Sequence, residues 1–116
     1  MEIVITGRHF EVSGAVREHI NRKLQNVLSD FDRLESVHVI LSMEKYRQEA
    51  EIVVQGPHHI RVEARETSSD MYTSIDAAVE KVVRQLRKSW EKMQNHKSRE
   101  GLSLSEIKAE IEQEKE

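Results

Sequence analysis

The chain has 116 residues, 37% of them hydrophobic and 34% charged, which suits one folded domain around a single core. No run approaches the roughly 18 apolar residues of a membrane helix. The start, Met1-Glu2-Ile3-Val4-Ile5, lacks the pattern of a signal peptide, and there is no cysteine for a disulfide or thiolate metal site, so a reducing, cytoplasmic setting is expected.

The elements follow in chain order. Residues 2–7 read as a short strand ending at Gly7. Ser13 is placed to cap a helix over about 14–30, whose apolar positions Val16, Ile20, Leu24, Val27 and Phe31 share one face. Residues 36–43 alternate, with Val37, Val39, Leu41 and Met43 on one side and Ser36, His38, Ile40 and Ser42 on the other. A polar connection over 44–48 leads to a second alternating run with Ala50, Ile52 and Val54 inward. Gly56-Pro57 signals a turn, and a third run puts Ile60, Val62 and Ala64 inward. A long helix starts at Ser69 or Asp70 and runs to about residue 95, with Met71, Ile75, Val79, Val82, Leu86, Trp90 and Met93 on one face.

The order β-α-β-β-β-α predicts an α+β fold. A right-handed crossover makes the first two strands parallel, hairpins make the rest antiparallel, and two helices lie on one face of a four-stranded mixed sheet. The domain spans residues 1–97, and residues 98–116 read as an acidic flexible C-terminal tail.

Charge is divided unevenly. Residues 1–70 hold 9 basic and 12 acidic side chains (net -3), 71–99 hold 7 and 3 (net +4), and 100–116 hold 2 and 6 (net -4), which sum to the chain's net -3. A local basic segment attracts phosphate whatever the overall average. At 100° per residue, Lys81, Arg84, Lys88 and Lys92 fall within about 80° of one another along roughly 16 Å of the second helix, away from its apolar stripe. They form either a solvated face with pairs such as Glu80 with Arg84, or a ridge that tracks phosphates. Lys45-Tyr46-Arg47 joins two cations to an aromatic, which suits phosphate pairing and base stacking as well as an ordinary hairpin tip. Arg8 and His9 are similarly usable.

Catalytic signals are thin. His58 and His59 are adjacent, point apart and have no third ligand at a metal-site spacing. Ser68 and Ser69 precede a helix, where capping accounts for them. No Gly-rich phosphate loop, nucleophile elbow or His-Glu-x-x-His motif occurs. A binding protein with no enzyme activity, metal or cofactor is expected.

Several segments together resemble the ribosome hibernation-promoting and ribosome-associated inhibitor family, also called the sigma-54 modulation or S30AE family. They are Ile3-Val4-Ile5-Thr6-Gly7, Ala15-Val16-Arg17-Glu18 with Lys23-Leu24, Phe31-Asp32, Val37-His38-Val39-Ile40-Leu41-Ser42 and Glu44-Lys45. The most specific is Asp70-Met71-Tyr72-Thr73-Ser74-Ile75-Asp76, continuing through Val79, Lys81 and Arg84-Gln85-Leu86. The resemblance covers about residues 1–95.

The resemblance implies a fold similar in outline to a double-stranded-RNA-binding domain. It implies binding to the small ribosomal subunit and its 16S ribosomal RNA, in the decoding channel between head and body. There a folded plug would block messenger RNA and A- and P-site transfer RNA. By position, Lys81, Arg84, Lys88 and Lys92 become backbone contacts, with Lys45, Arg47, Arg22 and Lys23 as further rRNA-binding candidates. The expected partners are the small subunit and its RNA, with no DNA and no membrane, and the free protein is expected to be a monomer. About 20 residues follow the last helix, so a short-type member is expected, its acidic tail closer to the inhibitor type. The rival reading is a protein–protein regulatory module, such as a modulator of a transcription factor.

Overall fold

The computed structural model describes residues 1–31 and 33–97; the expected tail over 98–116, and Asp32, lie outside them. The elements are β1 (Glu2–Arg8), α1 (Gly14–Leu28), β2 (Ser36–Glu44), β3 (Arg47–Gln55), β4 (Arg61–Ser68) and α2 (Met71–Lys97), with a single 3-10 turn at Pro57–His59 before β4. The described chain forms two compact units, Met1–Val83 and the part from Arg84 onward.

In the first unit, the strands lie in sequence order, β1-β2-β3-β4. β1 pairs parallel to β2, with Ile3 opposite Val37 and Ile5 opposite Val39, and both hairpins are antiparallel. Alternation works as expected. Val37, Val39, Leu41, Ala50, Ile52, Val54, Val62 and Ala64 are buried on one face, while the other carries Thr6, His38, Glu51 and Arg65. The apolar face is covered by α1 through Val16, Ile20, Leu24 and Leu28 and by α2 through Met71, Ile75, Ala78, Val79 and Val82, all buried.

Local chemistry sets the ends. The Ser13 hydroxyl accepts from the Val16 amide at 3.2 Å, capping α1 as its position predicts. At the start of α2 the cap is Asp70, whose Oδ2 accepts from the Thr73 amide at 2.9 Å and from the Thr73 hydroxyl at 2.8 Å. α1 stops at Leu28 rather than near residue 30. The Ser29 hydroxyl turns back to donate to the Asn26 carbonyl at 3.1 Å, and Ser and Asp residues at 29 and 30 favour a turn over another helical step. The buried stripe is therefore Val16, Ile20, Leu24 and Leu28; Val27 is half-buried and Phe31 lies beyond the helix.

The β2–β3 connection also differs from the expected polar stretch over 44–48. Glu44 pairs with Arg47, which leaves a two-residue hairpin, Lys45-Tyr46. Tight turns of this kind favour positive φ, and Lys45 adopts φ 58°. The strand residues extend further because backbone pairing does not require apolar side chains.

Gly7 marks a close approach. A Cβ there would stand 2.1 Å from the Phe10 carbonyl oxygen and 3.1 Å from the Val12 side chain. The Phe10 backbone cannot yield without shifting the loop into α1. Gly7→Ala is expected to cost about 1–3 kcal/mol in chemical denaturation; an unchanged midpoint would show that the loop relaxes freely.

Candidate nucleic-acid interface

The surfaces differ in how far their cations are already neutralised. On the open sheet face, Arg65 Nε lies 2.7 Å from Glu49 and its Nη2 2.7 Å from Glu51, while Arg61 lies 3.1 Å from Glu63. The hydrogen bond to Glu51, followed by the charges of Glu51 and Glu49, pushes the Arg65 pKa above its ordinary value. Those cations are engaged within the fold and offer little net field to a phosphate.

Helix α1 and the first turns of α2 are joined by a polar bridge. His19 Nε2–H donates to Asp76 Oδ1 at 2.7 Å, and the Lys23 ammonium stands 3.4 Å from the same oxygen. The Tyr72 ring meets the His19 ring edge-on, with centroids 5.0 Å apart. Partial burial acts to raise the Asp76 pKa, but the His19 hydrogen bond and the charges of Lys23 and His19 outweigh it, so the pKa is lowered. Asp76 is thus a group whose ionised form favours the fold. Its contribution is present above the unfolded carboxylate pKa, about 3.9, and is lost as pH falls through the lower folded value. The stability gap between the parent and Asp76→Asn is expected to narrow from pH 6 to pH 3 in urea titrations. A gap constant over that range would show that the bridge is not ionic. Because Asp76 is 42% exposed, solvent screening keeps the gap modest.

Of the sequence-predicted contacts, Lys23 is therefore partly committed to the helix–helix bridge. Arg22 is exposed and borders a shallow hollow of about 510 Å³ on α1 with Arg17, Asn21 and Gln25. Lys81, in the first unit, is exposed, and its ammonium lies 3.6 Å from Glu66 on β4. In the second unit Arg84 and Lys88 are exposed and Lys92 is half-buried, at four-residue steps on one helix. Leu86 is fully buried, while Trp90 and Met93 of the expected stripe are half-buried.

A separate group of charged side chains, of both signs, gathers at one end of the sheet. The parallel register sets Arg8 opposite Ser42, which brings the start of the following loop beside the β2–β3 hairpin. His9, Lys45 and Arg47 consequently share a hollow of about 660 Å³ with Ser42, Glu44, Glu49 and Thr67. Sequence reasoning marked Lys45-Tyr46-Arg47 and Arg8-His9 as two separate groups; their meeting depends on the pairing of β1 with β2, about 34 positions apart (Glu2 opposite Ser36), which no local pattern reveals. His9 and Lys45 both hold left-handed backbone, at φ 54° and 58°.

His58 and His59 are exposed on the 3-10 turn, and among the described residues no group of three or more His, Cys, Asp or Glu could hold a metal ion. Among the described residues, no helix is long and apolar enough to cross a membrane.

Comparisons with known proteins agree with this architecture. The family model described as "Sigma 54 modulation protein / S30EA ribosomal protein" matches residues 3–94. A ribosome hibernation promoting factor of Pseudomonas putida is 40% identical over 95 residues, covering 82% of this chain and 92% of that protein. That of Escherichia coli strain K12 is 34% identical over 98 residues, covering 83% and 100%. Among solved structures, a ribosomal subunit interface protein from Coxiella burnetii superimposes with TM-score 0.71 at 30% identity, covering 76% of this chain and 96% of that one. The N-terminal domain of Thermus thermophilus Protein Y gives TM-score 0.69 at 31% identity, covering 76% and 98%.

Proposed function

The chain belongs to the sigma 54 modulation protein / S30EA ribosomal protein family, and from that membership we propose that it is a cytoplasmic ribosome hibernation factor. In this reading it binds the small subunit through 16S rRNA, in the decoding channel. It inhibits translation by occupying the space of messenger RNA and of A- and P-site transfer RNA. The observation that carries the reading is the 40% identity to a ribosome hibernation promoting factor across 92% of that protein's length.

Charge supports an RNA partner. Residues 71–99 are net +4, and Arg84 and Lys88 are exposed on α2. Each cation that meets a phosphate releases condensed counterions, so affinity comes largely from electrostatics and falls with salt. No bond is made or broken in this mechanism. A folded domain prevents initiation by volume alone, and its hold is tuned by ionic strength.

Sedimentation through sucrose gradients tests the reading. The purified chain is expected to travel with isolated small subunits rather than large ones, and to lower peptide synthesis in a purified translation system. A chain that stays at the top of the gradient with both subunits would rule the reading out.

A further inference from the structure

We propose that Tyr46 is a stacking platform for a single unpaired RNA base whose phosphate lies against Lys45, Arg47 and His9. The proposal rests on the reading of this chain as a ribosomal-RNA binder and names a contact within it.

Tyr46 is 80% exposed, far more than Val4 or Tyr72, at 41% and 39%. An aromatic ring held in water at a hairpin tip stabilises nothing in the fold that its burial would explain. It is flanked by Lys45 and Arg47, both exposed, and those two line the hollow that also takes His9. The hollow is also lined by Glu44 and Glu49, of which Glu49 is already held by Arg65 at 2.7 Å, so Lys45 and Arg47 face one remaining carboxylate. A π face beside those two cations matches a nucleotide, whose base and phosphate are about one side chain apart. Every base presents a π face, so such a site tolerates sequence and demands only that the base be unpaired. A duplex keeps its bases stacked inside and offers none.

The platform is also held still. The Ser74 hydroxyl, 1% exposed, donates to the Gln48 carbonyl at 2.7 Å, two residues past the Lys45-Tyr46 turn. The Gln48 side-chain amide donates to the Ser69 carbonyl at 3.0 Å, and Ser68 Oγ lies 2.6 Å from Ser74 Oγ. These bonds tie the base of the hairpin to the start of α2. With only Lys45 and Tyr46 beyond the last ladder pair, the ring has little backbone freedom to lose when a base lands on it. Lys45 adopts φ 58°, a conformation that L residues with side chains rarely hold.

The test compares the parent with Tyr46→Ala and Tyr46→Phe. One probe is the isolated small subunit; the others are a seven-nucleotide single-stranded RNA and the same sequence in a duplex. Tyr46→Ala is expected to weaken binding to the subunit and to the single strand about tenfold (about 1.4 kcal/mol), with the slope of log K against log salt unchanged, because no charge is removed. Tyr46→Phe is expected to stay within about twofold of the parent, since it keeps the ring. Duplex binding is expected to be the same for all three. If Tyr46→Ala superimposes on the parent while both bind the subunit, the platform is refuted and the hibernation reading stands. If the parent ignores the subunit but binds single strands in a Tyr46-dependent way, the reading falls and the platform stands. A loss on the subunit with no loss on the single strand would place ribosomal protein against the ring and overturn the proposal.

Discussion

Leu41→Ala is expected to lose about 4 kcal/mol in equilibrium denaturation, the upper part of the range for emptying a buried leucine site. Leu41 is fully buried on β2, a central strand. Its lateral neighbours in the sheet are Gly7 on β1 and Ala50 on β3, the two smallest side chains that row could hold. Neither can lean into the space a shortened residue leaves, so the site collapses poorly and most of the cavity remains. A typical domain is stable by about 5–15 kcal/mol, so the variant should unfold well below the parent's midpoint. Ile40→Ala, one residue away on the open face and only half-buried, should cost less than half as much. Equal losses from the two would contradict the assignment of faces.

The largest functional effect is expected from Arg84→Ala combined with Lys88→Ala. If both cations meet phosphates, as proposed, their removal should raise the dissociation constant for the small subunit at least tenfold. It should also lower the slope of log K against log salt by roughly 1–2, the duplex value being about 0.9 per phosphate. Both residues are exposed, so stability should stay within about 1 kcal/mol of the parent. Arg61→Ala is the control. Its guanidinium is held by Glu63 on the open sheet face, and its loss should leave the salt curve in place. Superimposable curves for the double variant and the parent would make the α2 cations a solvated face and move the RNA contact elsewhere.

The element order and the inner faces of β2, β3 and β4 were legible because they follow from periods of two and of 3.6 residues, which the chain displays openly. Helix ends and loop lengths were less so. Ser29 ends α1 through its own hydroxyl, and backbone pairing draws Glu44, Arg47 and Gln48 into the sheet although their side chains are polar. Ion pairing between distant elements left no local trace. Lys81 meets Glu66, and Lys23 shares Asp76 with His19, only because the helices cross the sheet where they do. The segment Asp70–Asp76, which carried the most specific resemblance, proves to be architectural. Asp70 caps α2, Met71 and Ile75 are buried, Ser74 holds the hairpin and Asp76 joins α1. A motif can therefore identify a family while its residues serve the scaffold.

The sequential strand order has a kinetic consequence. β2, β3 and β4 form a meander closed by a two-residue turn and a short 3-10 turn, so their pairing needs only small loops. Only β1 must find a partner across a long stretch of chain, Glu2 opposite Ser36. Closing small loops is fast, and mean sequence separation governs folding speed in small domains. The meander can nucleate as soon as its three strands are free, whereas β1, made first during synthesis, must wait for β2 before it can dock. Among the described strand pairs, β1 with β2 therefore carries the largest loop-closure cost.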